Sequence, residues 1–288
     1  MTQSKSFVRT FVAVAACSLA CWSAAQSVTL RLKLPVGKKL VYTNDTRMDI
    51  HMKMPKNQGG PTMPDDMGMT INQVTNVQVV SKSAKGYVTK MTIVEAKATA
   101  DKGNPMGTMI SGMAEQMKGS TVEATYDELG NIVGSLKTTT KSGATMQMGQ
   151  TGDMKFGFMG LICPKNAVSV GSSWSQSIDF SKVMAGNQMA RGMQIGGSMP
   201  LTYKLVKVAN AGGKSIATVS VTLGGTMTIG GQSAAGASTM TAKISGGGTI
   251  LVDVATGLPQ TSTINLNMSM MAMGMPITQK MVMTQKLK

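Results

Sequence analysis

Met48-Asp49-Ile50-His51-Met52-Lys53-Met54 alternates apolar and polar side chains at every step. A period of two belongs to a β-strand with one face buried and the other wet. Upstream, Val28, Leu30, Leu32 and Leu34 alternate with Thr29, Arg31 and Lys33. Downstream, the runs Val88 to Val94, Ile216 to Leu223, Ile264 to Met270 and Met281 to Leu287 repeat the pattern, strictly or loosely. Turn chemistry falls between them: Glu128-Leu129-Gly130-Asn131, Ala211-Gly212-Gly213 and Ala255-Thr256-Gly257-Leu258-Pro259. About ten or more strands joined by tight turns make an antiparallel sheet that curls or closes. The expected fold is all-β with one or two short helices: a curved antiparallel sheet or open β-barrel built from two similar halves.

One stretch breaks the alternation. Met106, Met109, Ile110, Met113 and Met117 recur at three-and-four spacing, Asn104 can cap, Pro105 suits the first turn, and Gly119 suits the stop. The spacing predicts a short helix over 105–118, with its methionine stripe packed on a sheet face. Met154, Phe158, Leu161 and Ile162 predict a second helix over 153–162, stopped by Pro164.

The chain also reads as two related halves, 26–165 and 166–288. Val36-Gly37-Lys38-Lys39-Leu40 opens the first and Val170-Gly171-Ser172-Ser173-Trp174 the second. Val77 to Lys90 corresponds to Lys204 to Thr218, and Tyr126-Asp127-Glu128-Leu129-Gly130 to Val252 through Gly257.

Residues 1–25 have the three-part build of a signal peptide. Lys5 and Arg9 precede an apolar run from Phe11 to Trp22, and small residues close it, placing cleavage between Ala25 and Gln26. The run is too short to span a bilayer, and no run of transmembrane length follows. An exported, secreted or periplasmic protein is expected. A second reading takes Ser18-Leu19-Ala20-Cys21 as a lipobox with Cys21 lipidated, although Ser18 stands where a large aliphatic is usual. After cleavage at Ala25 only Cys163 remains, which excludes an intramolecular disulfide and a cysteine-based zinc site.

The formal charge is +15. Such an excess suits anionic envelope components, lipid headgroups or acidic polymers. The lysines are spread singly, without a basic block or interleaved aromatics, so nucleic acid is not an expected partner.

Pro164-Lys165-Asn166-Ala167-Val168-Ser169-Val170-Gly171-Ser172-Ser173-Trp174, with Val36-Gly37-Lys38-Lys39-Leu40-Val41-Tyr42 and Asp253-Val254-Ala255-Thr256-Gly257-Leu258-Pro259, resembles uncharacterised secreted β-rich bacterial proteins. The resemblance implies an envelope location and β architecture. A looser likeness is to periplasmic lipoprotein carriers, whose curved half-barrel holds acyl chains under short helices.

No catalytic constellation stands out, so an enzyme is not the expected reading. His51 lies beside Asp49 on the polar side of its strand, no G-x-S-x-G elbow occurs, and Cys163 before Pro164 reads as a small buried apolar residue. Asp127 and Asp253 precede turns, where aspartate bonds its own backbone. No cofactor motif is present: Gly213-Lys214-Ser215 echoes a phosphate loop, but Val208 stands where its first glycine belongs.

Methionine is the unusual feature, with 29 in the chain. The expected function is that of an exported envelope protein of binding or structural type; on a curved sheet methionine makes an adaptable apolar concave face, suited to a lipid or other apolar ligand. The alternative is a periplasmic Cu(I)-binding protein, because thioethers are soft ligands. Its candidate metal ligands are the M-x-M pairs Met52 and Met54, Met268 and Met270, and Met281 and Met283; the two sulfurs of a pair share one face about 6.6 Å apart along the strand.

Overall fold

The computed structural model describes residues 27–52, 64–102, 104, 107–148, 157–184, 193–233, 236–272 and 275–288. The expected leader, Ala25, Gln26 and Cys21 lie outside them, as does Met54. The elements, in chain order, are β1 (Ser27–Val28), β2 (Lys39–Met52), β3 (Asp66–Ser83), β4 (Gly86–Ala100), α1 (Gly107–Met117), β5 (Thr121–Tyr126), β6 (Leu136–Thr139) and β7 (Thr145–Met148). There follow β8 (Val168–Ser169), β9 (Ser173–Asp179), α2 (Phe180–Met184), β10 (Met193–Ala211), β11 (Lys214–Ser233), β12 (Gly236–Asp253), β13 (Pro259–Ala272) and β14 (Met275–Leu287).

Twelve strands form one antiparallel sheet in the order β7-β6-β5-β4-β3-β2-β14-β13-β12-β11-β10-β9. The protein is all-β with a curved sheet that does not close into a barrel. Each half runs as a meander, and the two meet where β14 pairs with β2, Met281 opposite Met48 and Gln285 opposite Asn44. The hairpin turns at 84–85 and 212–213 occupy corresponding places in the two meanders.

Curvature is built into the second half. A Cβ on Gly225 would collide with the Ser198 carbonyl of β10, and one on Gly248 with the Thr263 carbonyl of β13. Only glycine lets neighbouring backbones approach that closely, so the sheet bends there.

The core sits at one end of the long strands. The segment after β1 keeps the alternation read from its sequence, with Val28, Leu30, Leu32 and Leu34 all buried. Past Val28, however, it leaves the ladder and becomes a strap. Leu32 N–H donates to Glu128 O at 2.8 Å, and Lys33 N–H to Thr256 O at 2.7 Å, so the strap is bonded to the corresponding turns of both halves. Val28 and Leu30 pack into the core cluster of the second half; Leu32 and Leu34 pack into that of the first. Each buried leucine contributes roughly 1.5–3 kcal/mol. Arg31 fastens the strap further, donating Nη1 to Pro164 O at 2.6 Å and Nη2 to Lys165 O.

The helix expected over 153–162 is corrected. Residues 153–156 lie outside the described set, and 157–162 form a tight turn in which Phe158 and Leu161 bridge. Met159 (φ 50°) and Gly160 (φ 82°) take left-handed backbone. The apolar spacing serves a plug: Phe158 meets Tyr42 and Tyr126 edge-on, at 6.5 and 5.1 Å between ring centres.

Candidate functional site

The inner face of β2, β3, β13 and β14 carries the methionines in cross-strand rows. One row runs Leu266, Met281, Met48, Met69, Ala100 across five adjacent strands. Toward the β3–β2 ends of the strands, Met268, Gln279, Ile50 and Met67 form the next row, then Met270, Ile277 and Met52. In the opposite direction lie Ile264, Met283, Thr46, Ile71 and Ala98. The outward residues between them are mostly polar or charged, Arg47, Asp49, His51, Asn265, Asn267 and Lys280 among them, with Val282 an exposed apolar exception. β11 has 20 residues and reaches roughly 66 Å, well beyond the strap and plug at its base.

Between the packed end and the methionine rows sits a polar belt. Gln285 Nε2 donates to Asn44 Oδ1 at 2.8 Å and to Met159 Sδ at 2.9 Å, and Asn44 Nδ2 donates to Thr75 Oγ1 at 3.1 Å. It separates a dry core from a half-buried apolar face.

α1 lies on this inner face, over β3 and β4. Ile110 and Ala114 are its buried residues, packed with Ala96, Ala98, Met69 and Ile71. The expectation that the methionine stripe would pack on the sheet is corrected, for Met109, Met113 and Met117 are 50, 56 and 36% exposed. The compact side chains of Ile110 and Ala114 meet the alanines of β4, and the methionines turn to the flank of the helix. That flank has a direction. Ser111, on the opposite side, donates to Ala98 O of β4, whereas Gln73 of β3 reaches Met117 Sδ at 3.7 Å. The exposed methionines therefore lie toward β3 and, beyond it, the β2 and β14 rows.

The M-x-M pairs fall as follows. Met52, Met268, Met270, Met281 and Met283 all belong to the inner face, but none pairs directly with another of the set. The neighbours the sheet brings into register are Met69, Met48 and Met281. Spacing along one strand could not show this; it needed the pairing of β2 with β14 and with β3. Among the described residues, no group of three or more His, Cys, Asp or Glu is placed to hold a metal ion.

The other titratable groups have structural settings. His51 Nδ1 lies 2.7 Å from Asp66 Oδ1, on the outer face, so its partner is not Asp49. Asp49 and Asp101 instead hold Arg47, with Asp101 taking both guanidinium nitrogens at 2.8 and 2.6 Å. These hydrogen bonds draw the Asp101 carboxyl below its usual range. A recess of about 490 Å³ lies among His51, Asp66, Asp101 and Lys280. Asp127 accepts from Leu129 and Asn131 N–H at 2.9 and 2.8 Å, and Asp253 from Ala255 N–H at 2.9 Å, the turn role expected of both. Cys163 is buried, and burial pushes its thiol up to about 12. A second concavity, a groove of about 610 Å³, lies at the strap end between Leu129, Ile132 and Cys163 on one side and Trp174 of the edge strand β9 on the other. Trp174 stacks on Tyr203 at 5.6 Å and donates to Ile162 O at 2.7 Å.

No family model and no curated protein matches the chain. Among solved structures, one described as "Asymmetric conductivity of engineered proteins" is 11% identical at a TM-score of 0.28, covering 86% of this chain and all of its own. A double mutant of the Rh. blastica porin is 10% identical at a TM-score of 0.27, covering 87% of this chain and all of its own. Likenesses this low carry no argument about function. No helix among the described residues is long and apolar enough to cross a membrane.

Proposed function

We propose that this is an exported envelope protein of binding type. It holds an apolar ligand, a lipid acyl chain, against its methionine-rich inner face. One observation carries the reading: α1 presents Met109, Met113 and Met117 exposed, on the flank toward the apolar rows of β2 and β14. Exposed large apolar side chains gathered into one contiguous patch are a feature of binding surfaces. Methionine suits a chain of variable shape, because its unbranched side chain repacks. The positive charge of the chain would favour an anionic headgroup at the rim.

Native mass spectrometry of protein purified from its own host should show a lipid adduct, and a fluorescent fatty-acid probe should bind the stripped protein. Met113→Glu, at an exposed position, should weaken probe binding at least tenfold with the circular dichroism spectrum unchanged. A clean apo mass together with no probe binding overturns the reading. So does loss of binding in Trp174→Ala but not in Met113→Glu, which would move the ligand to the groove at β9.

A further inference from the structure

We propose that Met69, Met48 and Met281 form a binding site for a soft monovalent cation, Cu(I) or Ag(I). The three stand directly opposite one another on neighbouring strands, Met48 of β2 in the middle, Met281 of β14 and Met69 of β3 on either side. Directly opposed side chains start about 4.5–5.5 Å apart at Cβ. A methionine has three rotatable bonds beyond its backbone, so three sulfurs in such a row can turn to one point between them. Met67 and Met283 lie one diagonal step away, within reach as a fourth donor.

The surroundings select the ion. Thioethers are soft donors and favour Cu(I) and its congener Ag(I) over hard ions. Leu266 and Ala100 flank the three methionines, and past Leu266 the row continues through Gly246 and Leu223, so no carboxylate stands in it. The nearest acids and the histidine, Asp49, Asp66, Asp101 and His51, point to the other face and are engaged with Arg47 or with each other. Calcium and magnesium require several oxygen ligands, carboxylates among them, and the row of three methionines offers none. Three neutral sulfurs cancel none of the metal's charge, which favours a single positive charge over two at a half-buried position.

This inference does not depend on lipid binding. The test is anaerobic competition of the full-length protein against a chromophoric Cu(I) chelator, with Ag(I) followed by NMR of methionine ε-methyl groups labelled with carbon-13. Saturation at one equivalent is expected, with the Met48, Met69 and Met281 methyl signals shifting first. Met48→Leu and Met281→Leu should each weaken binding at least tenfold, and Met199→Leu on β10 should leave it unchanged. Leucine preserves volume and apolar character, so an unchanged circular dichroism spectrum and unfolding midpoint serve as internal controls. Uptake without saturation, equal shifts at methionines throughout the sheet, or wild-type affinity in Met48→Leu would each overturn the site.

Discussion

Gln285 of β14 donates its side-chain amide to Asn44 Oδ1 of β2 at 2.8 Å, across the seam where the first and last long strands of the sheet meet. The same amide reaches Met159 Sδ of the plug, so one side chain ties the seam to the turn beneath it. Gln285→Leu removes both bonds and leaves Asn44 Oδ1 short of a donor in a half-buried position. A buried acceptor left unpaired costs about 1–3 kcal/mol. Urea unfolding should show that loss, whereas Thr284→Ala, on the outer face, should stay within about 0.5 kcal/mol of the parent. An unchanged midpoint for Gln285→Leu would mean that the seam is held by its backbone ladder alone.

The strap makes a sharper prediction. Leu30 is fully buried in the second half's cluster and Leu32 in the first half's. Leu30→Ala or Leu32→Ala should each destabilise by about 2–5 kcal/mol. Arg31→Ala leaves the apolar contacts in place but frees the carbonyls of Pro164 and Lys165. If the strap matters through burial, both leucine variants should cost more than Arg31→Ala in denaturant unfolding. The reverse order would make the guanidinium the main fastening.

Alternation made the sheet legible. Met48, Ile50 and Met52 fall inside and Asp49 and His51 outside, as a period of two requires, and the turns at 128–131, 212–213 and 255–258 lie where glycine and aspartate put them. The pairing of β14 with β2 was not legible, because side-chain period says which face a residue takes and nothing about which strand lies beside it. The row of Met69, Met48 and Met281 depends on that long-range pairing and stayed hidden for the same reason. The 157–162 turn was misread because Phe158, Leu161 and Ile162 satisfy helical spacing as well as a plug that buries side chains in both directions. On α1, spacing found the helix, but methionine outweighed Ile110 and Ala114 in deciding which side packs. Close packing on Ala96 and Ala98 took the branched Ile110 and the small Ala114 rather than the long methionines.

Gly248 tests the bend. A side chain there meets the Thr263 carbonyl of β13, and rigid backbone cannot yield as a flexible side chain would. Gly248→Val should therefore destabilise even though valine favours strands, by about 1–3 kcal/mol or more if β12 and β13 must part. Gly134, whose added Cβ would meet nothing within 4 Å but whose φ is +88°, supplies the contrast. Its cost on substitution by alanine should come from backbone conformation alone. Thermal unfolding of both variants checks the ranking, and a stabilised Gly248→Val would show that the strands do not approach as closely as described.

Stability should fall in alkali for a reason the core supplies. Burial raises the Cys163 thiol from 9.0 to about 12, and it raises the Tyr203 phenol from 10.0 to about 12. Both groups are acids that stay neutral while folded. Between about pH 9 and 12 the unfolded chain releases protons that the folded chain retains. The unfolded state then binds fewer protons, and stability declines as pH rises through that window, having been fully present below it. Cys163→Ala removes the thiol's share, so its stability should slope less steeply from about pH 8 to 9, where the thiol titrates ahead of the phenols in the unfolded chain. Reaction with a thiol-specific chromogenic disulfide gives a second readout. Native protein near pH 8 should react at the rate of global or local opening, and denatured protein at once. Rapid labelling of the native protein near pH 8 would show that solvent reaches Cys163 through the neighbouring groove at Trp174, and the pH argument would then fail for the thiol while standing for Tyr203.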